Sequence, residues 1–327
     1  DLGTSAVKVG LFDNSGNLVA SALQGYDTLY PVPNGAEQQA EDWWNAICQA
    51  SRLLLQQNPK WRQRIICISF SGQMMGCLPV DKQGKPLRPS LIWADQRAVK
   101  EAELLSRWIG NSILYKRTGQ KASPAFSLAK ILWLKRNEPQ VYRKTYKILN
   151  AKDFIVARLT GKFHTDPSDA SGSNIYSLKE GKWDTDILSA VDIDINILPE
   201  IVPSTAVVGS VTQQAATNTG LVAGIPVVMG GGDGDVSAIG AGIVKPGDAF
   251  ISLGSSAWFA IVGKSPIDDP EMRLTTEAHV IPGLYLPNGT TFNGGGPYKW
   301  LKDNIFDLSK ESKGENPYEI MEQLAAT

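Results

Sequence analysis

Two short turns in this chain carry residue types that hold phosphate. The first is Asp1-Leu2-Gly3-Thr4-Ser5-Ala6, leading into the apolar run Val7-Lys8-Val9-Gly10-Leu11-Phe12. The second is Ser252-Leu253-Gly254-Ser255-Ser256-Ala257, leading into Trp258-Phe259-Ala260-Ile261-Val262. Leu, Gly, Ser and Ala recur at matching places. Glycine lets a backbone approach a ligand closely, and successive N–H groups with Ser or Thr hydroxyls can cradle phosphate oxygens. Lys8 could add a charge to the first turn, or could be a solvated lysine on a hairpin strand. One copy alone would read as a glycine turn between strands. The pair, with Asp1 leading the first, points to a duplicated domain that clamps a polyphosphate from both sides.

Two other segments place polar groups just after β-like runs. One is Ser71-Gly72-Gln73-Met74-Met75-Gly76, which follows 65–70, together with Trp93-Ala94-Asp95-Gln96-Arg97. The other is Gly230-Gly231-Gly232-Asp233, which follows 225–229. Ligands of open α/β sheets sit beyond the carboxyl ends of the strands, so these ends and the Asp1 turn could converge on one cleft. Phe292-Asn293-Gly294-Gly295-Gly296-Pro297 reads better as a strand-to-helix connection, because proline suits a first helical position.

The elements that must position these residues are legible in outline. Residues 6–12 and 18–24 flank the turn Asn14-Ser15-Gly16-Asn17 and predict a hairpin. Trp44, Ile47, Ala50 and Leu54 predict a helix over 41–57. The continuous apolar runs 65–70 and 225–229 predict buried strands. Residues 81–85 read as a hairpin turn and 91–93 as a short strand. Further helices are expected over 95–108 (opened by Asp95), 127–136, 152–159 (stopped by Gly161) and 236–242. Residues 162–190 are loop-rich, and 245–248 read as a turn that separates two domains, before a strand at 249–253. Helices mixed with strands make this an α/β protein.

Composition narrows the function. The 327 residues suffice for two domains, and 43% hydrophobic against 20% charged is the balance of a globular chain. A net charge of −1 without basic blocks points away from nucleic acid and anionic membranes. Cys48, Cys67 and Cys77 lack metal-ligand spacing and fit a reduced, cytoplasmic setting. Only His164 and His279 are present, which argues against a zinc site or a His-based triad. No apolar run reaches membrane-spanning length.

Taken together and in order, the motifs resemble the FGGY family of carbohydrate kinases, with xylulose kinases the most similar group. The residues that carry the resemblance begin with Asp1-Leu2-Gly3-Thr4-Ser5, Ser71-Gly72-Gln73-Met74 and Ile92-Trp93-Ala94-Asp95-Gln96-Arg97. Lys152-Asp153 with Arg158-Leu159-Thr160-Gly161, Ser168-Asp169-Ala170-Ser171-Gly172, Gly230-Gly231-Gly232-Asp233 and Ser252-Leu253-Gly254-Ser255-Ser256 complete it.

The resemblance implies an actin-like, ribonuclease H-like ATPase fold. Two duplicated domains would flank a cleft: 1–244, and the start of a second, incomplete one over 245–327. It implies ATP and Mg²⁺, a small sugar substrate, and no nucleic-acid or membrane partner; a homodimer is a fair expectation for a soluble enzyme. Asp233 is similar to the family's catalytic base, its other reading being a cap on the following helix. Asp235 stands where a small uncharged residue is expected and reads as a helix N-terminal charge. Asp1 and Asp233 correspond to metal-associated carboxylates. Gly3, Thr4, Ser5 and Lys8, with Gly254, Ser255 and Ser256, correspond to phosphate contacts. Gln73, Met74, Met75, Trp93, Asp95 and Asp233 correspond to the sugar site, where Asp95 and Gln73 supply polyol hydrogen bonds and Trp93 is a sugar cover or a core tryptophan. Many xylulose kinases carry His where this chain has Met75, which removes one polar contact.

Overall fold

The alternation in the first segment builds an antiparallel hairpin, Ala6–Phe12 against Leu18–Gly25. Asp13 closes its turn by accepting the Ser15 and Asn17 N–H groups at 2.8 and 2.9 Å. This hairpin belongs to a computed structural model that describes residues 1–253, 257–291, 294–305 and 316–326. Helix Ala40–Gln57 lies against the hairpin and buries Trp43, Trp44, Ile47, Ala50 and Leu54 in a core shared with Phe154, Ile155 and Val227. Helix Ala151–Thr160 crosses that core with nearly every residue buried. Asn150 and Asp153 cap its start reciprocally, and Gly161, at φ 74°, ends it in the left-handed region. Val99–Trp108, Asn111–Thr118 and Ser127–Asn137 form a second core around Leu105, Leu114, Leu128 and Leu134.

The centre of the molecule is a set of parallel strand ends. Ser71–Gly72 pairs in parallel with Gly231–Gly232 on one side and with Leu2 on the other. The Leu2 N–H donates to Ser71 O at 2.8 Å, and the Gln73 N–H to Leu2 O at 2.8 Å. The later part of the chain forms a four-stranded antiparallel sheet in the order Ala249–Leu253, Ala257–Ile261, Tyr285–Thr291, Thr275–Ala278. Helix Asp233–Gly240 packs Ala238 against that sheet's Ala260, Val262 and Leu286.

Four expectations change. Residues 65–70 are not a buried strand: Ile68 bridges Val227 alone, and Ile66 is 71% exposed. A continuous apolar run does not reveal how many neighbours a strand will find. The helix after Asp95 starts at Val99, because the Asp95 side chain folds back onto Arg97 instead of onto helix N–H groups. The 91–93 strand is paired only over Ser90–Leu91. The helix after the triple glycine begins at Asp233 rather than at Val236, and its N-cap is Gly232.

A buried ion cluster ties this frame to the strand ends. The Lys152 ammonium is wholly buried and meets carboxylate oxygens of Asp153, Asp166 and Asp169 at 3.0, 3.0 and 3.1 Å. Burial opposes its charge, but the three carboxylates outweigh burial and hold it protonated. Asp169 is pushed well above the usual carboxylate range by burial and by its acidic neighbours, against the pull of Lys152. Asp166 also accepts from the Ser168 and Ser204 hydroxyls at 2.6 and 2.7 Å, and Ser168 Oγ accepts the Gly232 N–H at 2.9 Å. Removing the cation leaves three buried carboxylates uncompensated, so Lys152→Met should cost about 3–5 kcal/mol. Chemical denaturation of the two proteins measures this; a loss below about 1 kcal/mol would contradict it.

Candidate active site

The parallel pairing sets three backbones side by side. Leu2, Gly72 and Gly232 share one level of the sheet, so the next residues, Gly3, Gln73 and Asp233, stand together beyond the strand ends. At the usual spacing of strands, Gly3 and Asp233 are roughly 10 Å apart with Gln73 between them. Asp1 lies on the first of these strands and Trp93 reaches it from the side. All three expected strand ends therefore meet at one place.

The first turn is a tight antiparallel return in which Leu2 bridges Val7 and the Gly3 N–H donates to Ala6 O at 3.1 Å. The second copy also returns antiparallel but in a different register, with Leu253 paired to Ala257 where the first copy pairs Leu2 with Val7. Its turn residues Gly254, Ser255 and Ser256 lie outside the described residues, as do Phe292 and Asn293. In the first copy the Trp93 indole N–H donates to Thr4 Oγ1 at 2.9 Å, which leaves the hydroxyl proton of Thr4 free to donate elsewhere. Ser5 is exposed, and so is Lys8 on the outer face of its strand.

The glycines before Asp233 are there for close packing within the protein. Gly230 has φ 72°, and a Cβ on it would stand 2.1 Å from Phe70 O. A Cβ on Gly232 would stand 2.4 Å from Met74 Sδ. The triple glycine also reads as letting sugar and phosphate approach the backbone, but packing against Phe70 and Met74 by itself already requires Gly230 and Gly232. Met74 is buried in that contact.

Asp233 is partly buried at the first helical position, and its Oδ1 accepts the Gly234 N–H at 2.9 Å. Burial raises its carboxyl to about 6 against that bond. Asp235 lies in the first turn of the same helix, the place expected for it, but faces inward. It is fully buried with neither carboxyl oxygen hydrogen-bonded, and burial together with Glu277, Asp166, Asp169 and Asp233 pushes it well above the usual range. Glu277, from strand Thr275–Ala278, is raised to about 7 by burial and by Asp233.

In the segment expected to meet the sugar, Gln73 donates to Gln38 Oε1 at 2.8 Å and leaves its own buried Oε1 without a hydrogen bond. Asp95 is engaged: Oδ2 accepts the Ala36 N–H at 2.7 Å, and both oxygens accept Arg97 Nε at 2.8–3.0 Å. With the Arg97 N–H also on Oδ1, the carboxylate has little capacity left for a sugar hydroxyl. Its work here is to anchor two loops. Met75 is partly buried with φ 59°.

Two residues escaped the sequence. Gln38 joins the turn to the Gln73 segment: it donates to Thr4 O at 2.6 Å and accepts from Gln73 and from Trp43. Glu277 closes the acidic side. Neither sits in a spaced motif, and nothing local marks them.

Residues 1–240 match the N-terminal domain of the FGGY family of carbohydrate kinases. A xylulose kinase of Staphylococcus xylosus is 32% identical over 305 residues, 93% of this chain and 63% of that protein. A gluconokinase of Bacillus subtilis is 28% identical, covering 99% of this chain and 63% of its own length. The crystal structure of xylulose kinase from Rhodospirillum rubrum superposes with a TM-score of 0.92 at 29% identity, over 99% of this chain and 65% of that one. The chain thus spans less than two thirds of these relatives. The mixed α/β architecture is the actin-like ATPase fold of those kinases. By the matched domain and the order of its motifs, the chain belongs to the FGGY family of carbohydrate kinases.

Proposed function

We propose that the protein carrying this chain is an ATP-dependent kinase for a hydroxyl of a sugar or polyol, foremost a ketopentose such as D-xylulose, giving D-xylulose 5-phosphate. The observation that carries this reading is the alignment of Gly3, Gln73 and Asp233 at neighbouring strand ends, with Asp233 raised to about 6. A sugar hydroxyl is a poor nucleophile until a carboxylate accepts its proton during in-line attack on phosphorus. Asp233 is ionised at neutral pH yet basic enough for that transfer. Gln73 Oε1 orients the sugar by accepting from a second hydroxyl, and the Trp93 ring covers it. Gly3, Thr4 and Ser5 hold phosphate oxygens through N–H groups and hydroxyls, with Gly254, Ser255 and Ser256 opposite them.

Asp1 and Asp233 carry hard oxygen donors, the kind that suits Mg²⁺, an ion held by one or two carboxylates plus phosphate oxygens. Those two residues would hold the ion, and its charge would offset that of the phosphates. Residues 1–244 form the sugar-binding domain in this reading and 245–327 begin the nucleotide-binding one. The protein works in the cytoplasm on small molecules. No helix among the described residues is long and apolar enough to cross a membrane. Met75, which replaces a polar neighbour of the sugar, keeps gluconate, ribulose and glycerol as rival acceptors.

A coupled ADP-release assay on the full-length protein, with Mg-ATP and xylulose, ribulose, gluconate and glycerol, tests this. Sugar-dependent release is expected, and Asp233→Asn should lower kcat by about 10²–10⁴-fold. A folded protein that binds sugar or ATP but releases no ADP with any acceptor would instead be a non-catalytic sensor of the same fold. The pH profile is a second check. Below about 6 Asp233 carries the proton and cannot take another, so kcat/KM should fall tenfold per pH unit there and level off above about 7. A profile flat down to pH 5 would exclude Asp233 as the base.

A further inference from the structure

Lys130 is a second fully buried lysine, and its surroundings differ from those of Lys152. Its ammonium donates to three backbone carbonyls, Met75 O at 2.8 Å, Ile92 O at 2.7 Å and Ala125 O at 2.6 Å. An ammonium has three donors and no acceptor, so this set satisfies it completely. No carboxylate among the described residues forms an ion pair with it. Burial lowers it to about 7, with Asp95 the main opposing charge.

The carbonyls it holds come from three separate segments. Met75 follows Gln73 and Met74. Ile92 precedes Trp93. Ala125 belongs to the loop that enters helix Ser127–Asn137. Met75 is left-handed at φ 59°, a conformation that methionine keeps only where its surroundings impose it. The same helix fixes the next residue too, since the Ser127 hydroxyl donates to Gly76 O at 2.8 Å. One helix therefore sets how the Gln73–Met75 arm lies against the Trp93 arm.

We propose that Lys130 is a positioning residue for the acceptor sugar, acting through the Met75 and Ile92 carbonyls. It touches no reacting atom. The proposal rests on the kinase reading for its substrate, and concerns the sugar half of the site alone.

The test uses the full-length protein and the best acceptor of the panel. Lys130→Met should raise the sugar KM at least tenfold and leave the ATP KM within twofold. The sugar dissociation constant, measured by calorimetry without nucleotide, should rise in parallel. A merely structural lysine would lower the active fraction, and so kcat, with both KM values unchanged; that result in a folded variant overturns the proposal. If Lys130→Met yields no soluble protein, Lys130→Gln, which keeps two donors, carries the same measurement.

A double-mutant cycle with Met75→Gly adds an independent reading, because glycine adopts φ near 59° without constraint. In that background Lys130→Met should raise the sugar KM at least threefold less than it does alone. Equal factors would show that Lys130 does not act through Met75. If the unsubstituted protein binds sugar without turnover, the kinase reading falls and calorimetry still decides this one. If it binds no sugar and turns none over, both fall.

Discussion

The arrangement at the strand ends depends on one buried ammonium. Among the described residues Lys152 is the one cation ion-paired with Asp153, Asp166 and Asp169, and it lies at the start of a helix that is itself buried on nearly every side. A lone carboxylate in such a place would take up a proton or draw in water. With Lys152 between them, Asp166 remains a strong acceptor for two serine hydroxyls, and one of those serines fixes the Gly232 N–H. The residue after Gly232 is Asp233. A charge interaction in the helical layer thus determines where the candidate base sits, through one carboxylate, one hydroxyl and one peptide group.

The same region carries more acid than cation. Asp233, Asp235 and Glu277 come together without a lysine or arginine ion-paired to them among the described residues, and all three are raised, chiefly by burial. Asp235 and Glu277 lie on different layers, one on the Asp233–Gly240 helix and one on the antiparallel sheet. The basicity of Asp233 is therefore a property of the contact between those layers. Water admitted between them would return Asp233 toward an ordinary carboxylate, too weak a base to help a sugar hydroxyl. Between the helix and the sheet lies an apolar cluster of Ala238, Ala260, Val262 and Leu286.

Local chemistry was legible in the chain and partner choice was not. The hairpin around Asn14–Asn17, the amphipathic helix from 40 and the left-handed stop at Gly161 each follow from a few neighbouring residues, and each formed as read. The segment 65–70 failed because apolarity does not say which strands will lie beside it. Asp95 was read as a helix opener facing sugar, but Arg97 two residues on is a stronger partner than a row of N–H groups. The triple glycine was recognised as special, and packing adds a reason of its own. Its neighbours Phe70 and Met74 are more than a hundred residues away, beyond any local pattern. Gln38 and Glu277 matter through contacts alone, so no spacing could announce them.

Lys152 and Lys130 show two ways to keep a lysine out of water. Burial works against both ammonium groups. Around Lys152 three carboxylates together overcome it, and the proton stays at any physiological pH. Around Lys130 the partners are carbonyl dipoles, which orient N–H groups but offset less of the desolvation, and burial prevails down to about 7. The geometry before Asp233 therefore rests on charge, and that of the Gln73–Met75 and Trp93 arms on a count of donors matched to acceptors. A charge-based anchor tolerates small shifts, since Coulomb energy varies slowly with distance. A donor-matched anchor does not, since hydrogen bonds weaken steeply off their preferred angle. In the proposed reading the stricter device stands where one hydroxyl must be told from another, and the more forgiving one only holds a strand in register.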